Sequence, residues 1–155
     1  MIHYSSLYTF DNWELNKSIM ENKAKHLEMI QNVIERMGSN SFQLKGWAVT
    51  LVSIIGALSS RETDRRFFLL TFIPLIAFWG IDSFYLQLER KYKELYKQVR
   101  NKKESEIDFD MDTSSITTKG TKIGYWRCAF SNTEFYFYGS ILLAVIVLAF
   151  MIKVL

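Results

Sequence analysis

The stretch Phe67-Phe-Leu-Leu-Thr-Phe-Ile-Pro-Leu-Ile-Ala-Phe-Trp-Gly-Ile-Asp-Ser-Phe-Tyr-Leu-Gln-Leu88 decides the fold of this chain. It carries one charge, Asp82, and has about the twenty residues that a helix needs to cross the hydrocarbon core of a bilayer. Apolar residues then continue at three- and four-residue steps, the pattern of a coiled-coil contact: Phe78, Ile81, Tyr85, Leu88, Tyr92, Leu95 and Val99. We therefore predict a span that leaves the membrane as an uninterrupted helix, in which Pro74 permits a modest kink.

Two more stretches have the composition of membrane spans. From about Glu14 a helical apolar face continues through Leu58 despite Gly38, and its uncharged part is short, so the span is expected to use residues 44–60. The last stretch, 135–155, follows Ser131-Asn-Thr-Glu134, which has the spacing of a capping box at a helix start. The sequence therefore predicts three spans.

These segments predict an all-α membrane protein with a single domain. Residues 1–43 form a cytosolic segment and helix, 44–60 and 67–88 the first two spans, 89–134 a cytosolic helix extension and loop, and 135–155 the third span. The short connection between the first two spans requires an antiparallel hairpin, which extends into the cytosol. Residues 1–13 are aromatic and polar and show no helical period.

The distribution of lysine and arginine predicts the orientation. Residues 89–134 carry ten cations, the segment through Lys45 carries five, and the hairpin turn carries three. Because cytoplasmic segments are enriched in lysine and arginine, the N-terminus and the 89–134 loop are expected in the cytoplasm. The one cysteine, Cys128, excludes an intramolecular disulfide framework.

Lys45 and Asp82 are charged residues inside predicted spans. Each lies fifteen residues from the outer turn, so both are expected at one depth, roughly 22 Å below that turn. A charge within a span is usually paired or faces a water-filled cavity. The favoured interpretation is a structural ion pair or a Lys45 that reaches the interface, and the alternative is a charged ring at the cytoplasmic mouth of a pore.

The first span has a second stripe, of small and hydroxyl residues, opposite its apolar face: Gly46, Thr50, Ser53, Ala57 and Ser60. Small residues let helices approach closely in lipid, which favours packing between protomers. The alternative is a narrow pore lined by hydroxyl groups.

A basic run follows the second span: Arg90, Lys91, Lys93, Lys97, Arg100, Lys102 and Lys103. In this position it is expected to attract anionic lipid headgroups. A cytosolic nucleotide or single-stranded nucleic acid is the alternative ligand. Four glutamates at seven-residue steps, Glu14, Glu21, Glu28 and Glu35, are expected to form flanking charge pairs with Lys91, Lys93, Lys97 and Arg100.

No pattern of residues indicates an enzyme, a cofactor or a metal. The spacing Asp108-x-Asp110-x-Asp112 resembles a calcium loop, but Lys119 stands where a bidentate glutamate would be needed. His3, His26 and Cys128 have no partners at the spacing of metal ligands and no nucleophile–base arrangement.

Three stretches resemble a group of small bacterial inner-membrane proteins: Lys25-His-Leu-Glu-Met-Ile-Gln31, Ser41-Phe-Gln-Leu-Lys-Gly-Trp47 and Phe78-Trp-Gly-Ile-Asp-Ser-Phe-Tyr85. The layout of long helices that enter short spans is similar to that of oligomeric membrane effectors in bacterial antiphage systems. This resemblance covers residues 20–100 and implies a homo-oligomer that perturbs the inner membrane when triggered. It transfers no functional residue.

Two functional hypotheses follow. The first is a homo-oligomeric channel or membrane-disrupting effector that is gated from the cytosol by a nucleotide, nucleic acid or protein trigger. The alternative is a non-conducting membrane anchor or scaffold that binds a cytosolic partner through the 89–134 loop.

Overall fold

The computed structural model describes residues 4–59, 65–117 and 121–151, except for the side chains of 4–16, 18, 19, 59 and 65–67. The described chain contains no strand. Its helices are α1 (Tyr4–Ser59), a 3-10 segment (Arg65–Thr71), α2 (Phe72–Asn101), a second 3-10 segment (Glu104–Glu106), α3 (Tyr125–Ala129) and α4 (Asn132–Met151). The stretches Met20–Leu58, Phe68–Asn101 and Asn132–Met151 are long and apolar enough to cross a membrane. The predicted all-helical class and its three long apolar helices are confirmed.

Helix α1 is longer than the sequence pattern predicts. It begins at Tyr4, although residues 1–13 show no helical period, and it passes Gly38 without a break. A glycine inside a helix costs only about 1 kcal/mol relative to alanine, which fifty-six residues of helix can absorb. The predicted turn falls largely on residues 60–64, which lie outside the described residues.

The start of α2 explains why Pro74 is tolerated. The chain enters as the 3-10 segment and becomes α-helical at Phe72, so Pro74 lies in the first turn of α2. At that position proline's missing N–H removes no hydrogen bond from a helix interior. A kink at Pro74 is therefore not required.

Internal contacts cluster in two compact units, which subdivide the single domain expected from the sequence. The first unit combines Met1–Glu35 with Lys91–Ile116. Its described buried residues are His26, Ile30, Leu95, Val99 and Ile116. Leu95 and Val99 belong to the predicted apolar seam of α2, whereas Met20 at the start of the predicted face of α1 is 54% exposed.

The second unit combines Arg36–Arg90 with Thr117–Leu155. Residues from α1, the first 3-10 segment, α2 and α4 form its core: Ala48, Val52, Phe68, Leu75, Tyr138, Val145 and Ala149. Phe78 and Trp79 pack against this core, while Ile81 is exposed. At this point the inward face of α2 is formed by Asp82, the residue that follows Ile81, and not by Ile81 as the predicted seam required.

Candidate functional site

Lys45 lies at the centre of a group of polar side chains in the second unit. Its ammonium nitrogen Nζ donates to Ser41 Oγ at 2.9 Å, to Asp82 Oδ2, and to Glu134 Oε1 at 2.9 Å. An ammonium group has three donors, so all three are used. The Lys45 side chain is 17% exposed, whereas those of Asp82 and Glu134 are 0% and 1% exposed.

Tyr138 completes this group, and we call Lys45, Asp82, Glu134 and Tyr138 the charge cluster. The Tyr138 hydroxyl donates to Asp82 Oδ2 at 3.0 Å, and its ring lies 5.9 Å from Lys45 Nζ. The same ring stacks on Trp79, with 6.0 Å between centroids. Three helices therefore contribute to the cluster, because α1 supplies Lys45, α2 supplies Asp82, and α4 supplies the remaining two residues.

The structure places Lys45 and Asp82 in contact, as the depth argument expected, and adds two partners that sequence analysis missed. Asp82 faces the interior of the protomer, which favours the ion pair over a charged ring in a pore. The signal for Glu134 is its place as the last charged residue before the apolar part of α4, and Tyr138 follows four residues later on the same helix face.

The predicted capping box at α4 is wrong. Ser131 Oγ is buried without a hydrogen-bond partner, and the Glu134 carboxylate binds Lys45. The helix start is instead stabilised by its backbone, where the Phe135 N–H donates to the Ser131 carbonyl oxygen at 2.8 Å. A charge-assisted bond to an ammonium group is stronger than a bond to a neutral N–H, which explains the choice of Glu134.

The small-residue stripe of α1 is exposed in the protomer. Gly46, Thr50, Ser53 and Ala57 are all accessible, and Ser60 lies outside the described residues. The Thr50 hydroxyl donates to the Gly46 carbonyl oxygen at 2.9 Å, so this polar group is satisfied within α1. Ser53 and Ala57 also border an apolar groove of about 490 Å³ that is completed by the 3-10 segment and α4.

The basic run is divided between the two units. In the first unit, Lys97 pairs with Glu94 at 3.0 Å and Lys102 pairs with Asp108 at 3.0 Å. Lys97 therefore pairs within its own helix instead of with the glutamates of α1, of which Glu21, Glu28 and Glu35 are exposed.

Arg90 belongs to the second unit, where it meets the segment before α4. Its guanidinium group donates to the Lys122 carbonyl oxygen. Arg90, Lys122 and Arg127 line an open groove of about 550 Å³ at the start of α4, together with the aromatic side chains of Trp126 and Phe130. Three cations thus gather around this groove, two of them from residues outside the predicted basic run.

The acidic segment 108–114 forms a series of hydrogen bonds with its own backbone. The N–H groups of Asp110, Asp112 and Ser114 donate to the preceding aspartate Oδ1 atoms at 3.2, 2.9 and 2.8 Å. Aspartates two residues apart commonly form such turns, so the spacing that resembles a calcium loop has a backbone role here. His26 Nε2 lies 3.0 Å from the Asp110 carbonyl oxygen, a contact that the sequence did not predict.

Acidification is expected to loosen this segment. Lys102 holds the pKa of Asp108 below its usual range, and hydrogen bonds from Ser114 do the same for the pKa of Asp112. A carboxyl group with a lowered pKa stabilises the folded state above its unfolded pKa, and this contribution is lost as the pH falls through the lower folded value. Amide exchange at Asp110, Asp112 and Ser114 should therefore accelerate below about pH 4, beyond the intrinsic pH effect measured for a matched unstructured peptide. Unchanged protection of these amides below that pH would show that ionised Asp108 and Asp112 do not stabilise the turns.

Helix α3 attaches the segment before α4 to α2. The Trp79 indole N–H donates to the Ala129 carbonyl oxygen at 3.0 Å, and the Tyr125 hydroxyl donates to the Gly80 carbonyl oxygen at 3.2 Å. Cys128 in the same helix is buried, and burial raises the pKa of its thiol. A buried thiol with a raised pKa is a poor nucleophile, so α3 has the features of a structural element.

Comparison with protein-family models, curated proteins and solved structures finds no match to this chain. Functional inference therefore depends on its own geometry. The described residues offer three distinctive features: the charge cluster, the exposed stripe of α1, and the groove with three cations at the start of α4.

Proposed function

We propose that this chain is a multi-pass protein of the bacterial inner membrane with a cytoplasmic N-terminus, whose copies associate through α1. The assembly acts as an ion channel or membrane-disrupting effector that is gated from the cytosol. The observation that carries this proposal is the exposed stripe of Gly46, Thr50, Ser53 and Ala57 on a helix that is otherwise apolar enough to cross a membrane.

The chemistry of the stripe supports association. Lipid chains are as apolar as leucine, so helices in a bilayer associate through close backbone approach and hydrogen bonds instead of hydrophobic burial. Gly46 and Ala57 permit that approach, and a Cβ at Gly46 would meet nothing within 4 Å in the protomer. Thr50 and Ser53 would then supply hydroxyl groups to an axis shared by several copies.

Other surfaces of the second unit support insertion. Large apolar side chains are exposed on α2 and α4, among them Ile73, Ile76, Ile81, Leu143, Val147 and Phe150. Trp126, Phe130, Phe135 and Tyr136 are exposed around the start of α4, and aromatic residues concentrate at membrane interfaces. The neighbouring groove with Arg90, Lys122 and Arg127 suits the phosphate groups of anionic lipids.

A trigger from the cytosol is part of the same proposal. The first unit carries exposed cations at Lys93, Lys97, Arg100 and Lys103, which suit a nucleotide, a nucleic acid or an acidic protein surface. A role in antiphage defence is proposed from the sequence resemblance.

Reconstituted protein is expected to release a trapped ionic dye from liposomes, and Ser53→Leu should change the rate at least several-fold. Leucine at this position would obstruct both close packing and a hydroxyl-lined axis. Ala77→Leu is the matched control, because it adds the same side chain at an exposed small residue of α2. Equal rates of dye release by wild type and S53L would contradict the channel proposal. So would the absence of dye release by the wild-type protein, whatever its oligomeric state.

A non-conducting anchor is the second candidate, favoured by the ordered acidic segment in the first unit. Glu104, Glu106, Asp108, Asp110 and Asp112 are exposed, and the turns at 108–114 give three of them a fixed arrangement. Such a surface suits a basic partner protein. In that case a pull-down from the source cell should recover a partner whose binding is lost when Glu104 and Glu106 are changed to lysine, and the liposomes should not leak.

A further inference from the structure

The charge cluster contains an unequal number of positive and negative groups. One ammonium, from Lys45, faces two carboxyl groups, from Asp82 and Glu134, and Tyr138 adds a neutral hydroxyl. With both carboxyl groups ionised, the cluster has a net charge of −1. The Asp82 and Glu134 side chains are 0% and 1% exposed, so little water is available to solvate the excess charge.

The charge cluster also has fewer hydrogen-bond donors than its carboxyl oxygens could accept. All three Lys45 donors are used, and the Tyr138 hydroxyl donates to the Asp82 oxygen that already accepts from Lys45. Asp82 Oδ1 and Glu134 Oε2 are buried and have no hydrogen-bond partner. Buried carboxylate oxygens without a donor are costly, and no described side chain donates a hydrogen bond to either of these two oxygens.

We propose that Asp82 and Glu134 bind one proton in common, so that the charge cluster is a proton-binding site that is neutral when occupied. Both carboxyl groups contact the same ammonium nitrogen, which places them within about two hydrogen-bond lengths, roughly 6 Å, of each other. Two carboxyl groups at such short range do not both ionise easily, and one of them retains a proton. The occupied site then contains one carboxylic acid, one carboxylate and one ammonium.

A proton fits this site better than a metal ion does. The Lys45 ammonium already occupies the position between the two carboxyl groups where a cation would gain most. Within the described residues, no three side chains of histidine, cysteine, aspartate or glutamate come together to hold a metal. A proton needs no additional space, and it supplies the donor that the two orphan oxygens lack.

The groups around the site come from four helices. Lys45 on α1, Asp82 on α2, and Glu134 and Tyr138 on α4 form it, while Cys128 on α3 lies close enough to Glu134 to interact electrostatically and also interacts with Arg90. Loss of the proton would leave one uncompensated negative charge where α1, α2 and α4 meet. Deprotonation is therefore expected to weaken the packing of α4, whether or not the protein conducts ions.

Infrared difference spectroscopy of the full chain in detergent tests this proposal directly. The wild type at pH 7 should show the C=O stretch of a protonated carboxylic acid, because exposed carboxyl groups are ionised at that pH. Glu134→Gln and Asp82→Asn should each abolish this band, since either leaves one carboxylate beside one ammonium. Lys45→Met should retain or strengthen it, because two carboxyl groups then lack a cation. Glu106→Gln, at an exposed glutamate, is the control and should not change it.

The pH dependence of stability gives a second readout. A site that binds a proton in the folded state more tightly than in the unfolded state stabilises the protein at low pH, and this stability is lost as the pH rises through the folded-state transition. The wild type should lose thermal stability over the pH range in which the acid band disappears, and E134Q should not show this step.

Two results would overturn the proposal. A wild-type spectrum without the acid band at pH 7 would mean that both carboxyl groups are ionised, and this result needs no variant. A band that persists in both E134Q and D82N would place the proton elsewhere. Neither readout depends on ion release from liposomes, so failure of the channel proposal and failure of the proton site are distinguishable.

Discussion

Lys45→Met is expected to destabilise the detergent-solubilised protein by about 3–5 kcal/mol, the range for removing one partner of a buried charged pair. The effect is large because one ammonium serves both Asp82 and Glu134, and its loss leaves two buried carboxyl groups without a cation. Lys103→Met, at an exposed lysine, is the matched control and should change the free energy of unfolding by less than about 0.5 kcal/mol.

Substitutions at Lys45, Asp82 and Glu134 should not change the free energy of unfolding equally. Asp82→Asn is expected to cost less than Lys45→Met, because Glu134 remains to pair with the ammonium. A double variant of Lys45→Met with Asp82→Asn should recover part of the loss, because it removes one of the two buried carboxyl groups that lack a cation, and addition of Glu134→Gln should recover more, because it removes the other. Such non-additivity is the signature of residues in contact.

Chemical unfolding monitored by circular dichroism measures these differences. Strictly additive effects of the three substitutions, or equal effects of K45M and K103M, would show that the contacts do not contribute to stability.

Lys45 and Asp82 were predictable because each lies a known number of helical residues from a short connection. Regular helices convert residue number into depth at about 1.5 Å per residue, so two positions on consecutive helices can be matched by counting. Leu95 and Val99 were predictable from another regular property of helices, because apolar residues at three- and four-residue steps lie on one face, and this spacing identifies the buried face of α2. Ile81 shows the limit, because a seam chosen from apolar residues alone passes over the inward-facing Asp82.

Glu134 was not predictable in this way. About thirty residues that do not form one continuous helix separate it from the end of α2, so counting gives no register between the two positions. Its local sequence also had another physical interpretation, the capping box with Ser131, which is satisfied by neighbouring residues alone. The Glu134 carboxylate could accept a hydrogen bond from the Ser131 backbone N–H or from the distant Lys45 ammonium. Tertiary contacts decide between the two donors, and a local sequence pattern carries no information about them.

His26 was missed for a related reason. Its burial is associated with the 108–114 turns, through its contact with the Asp110 carbonyl oxygen and the Phe109 ring at 5.4 Å. Those turns are built from hydrogen bonds between aspartates and their own backbone, and such bonds leave no hydrophobic period in the sequence. Phe109 has a φ of 54°, which is uncommon for a residue with a side chain.

Ile30→Ala is expected to destabilise the first unit by about 2–5 kcal/mol, the usual cost of truncating a fully buried isoleucine. Ile30 is 0% exposed, and the described part of the first unit contains few other buried apolar residues. Few neighbouring side chains can therefore move in to fill a cavity at this position, so its cost is not reduced by relaxation. Met29→Ala is the matched control on the neighbouring residue, because Met29 is 40% exposed and its truncation leaves no enclosed cavity.

Hydrogen exchange of the full chain separates this effect from global unfolding. Amides of α2 within the first unit, around Leu95 and Val99, should lose protection in Ile30→Ala and keep it in Met29→Ala, because they depend on the same buried residues. Local opening can occur at a lower free energy than unfolding of the whole chain, so amides around Leu75 and Tyr138 in the second unit should remain protected. Equal protection around Val99 in the two variants would show that Ile30 does not contribute to the core of the first unit. Loss of protection throughout both units would instead mean that the two unfold as one cooperative system.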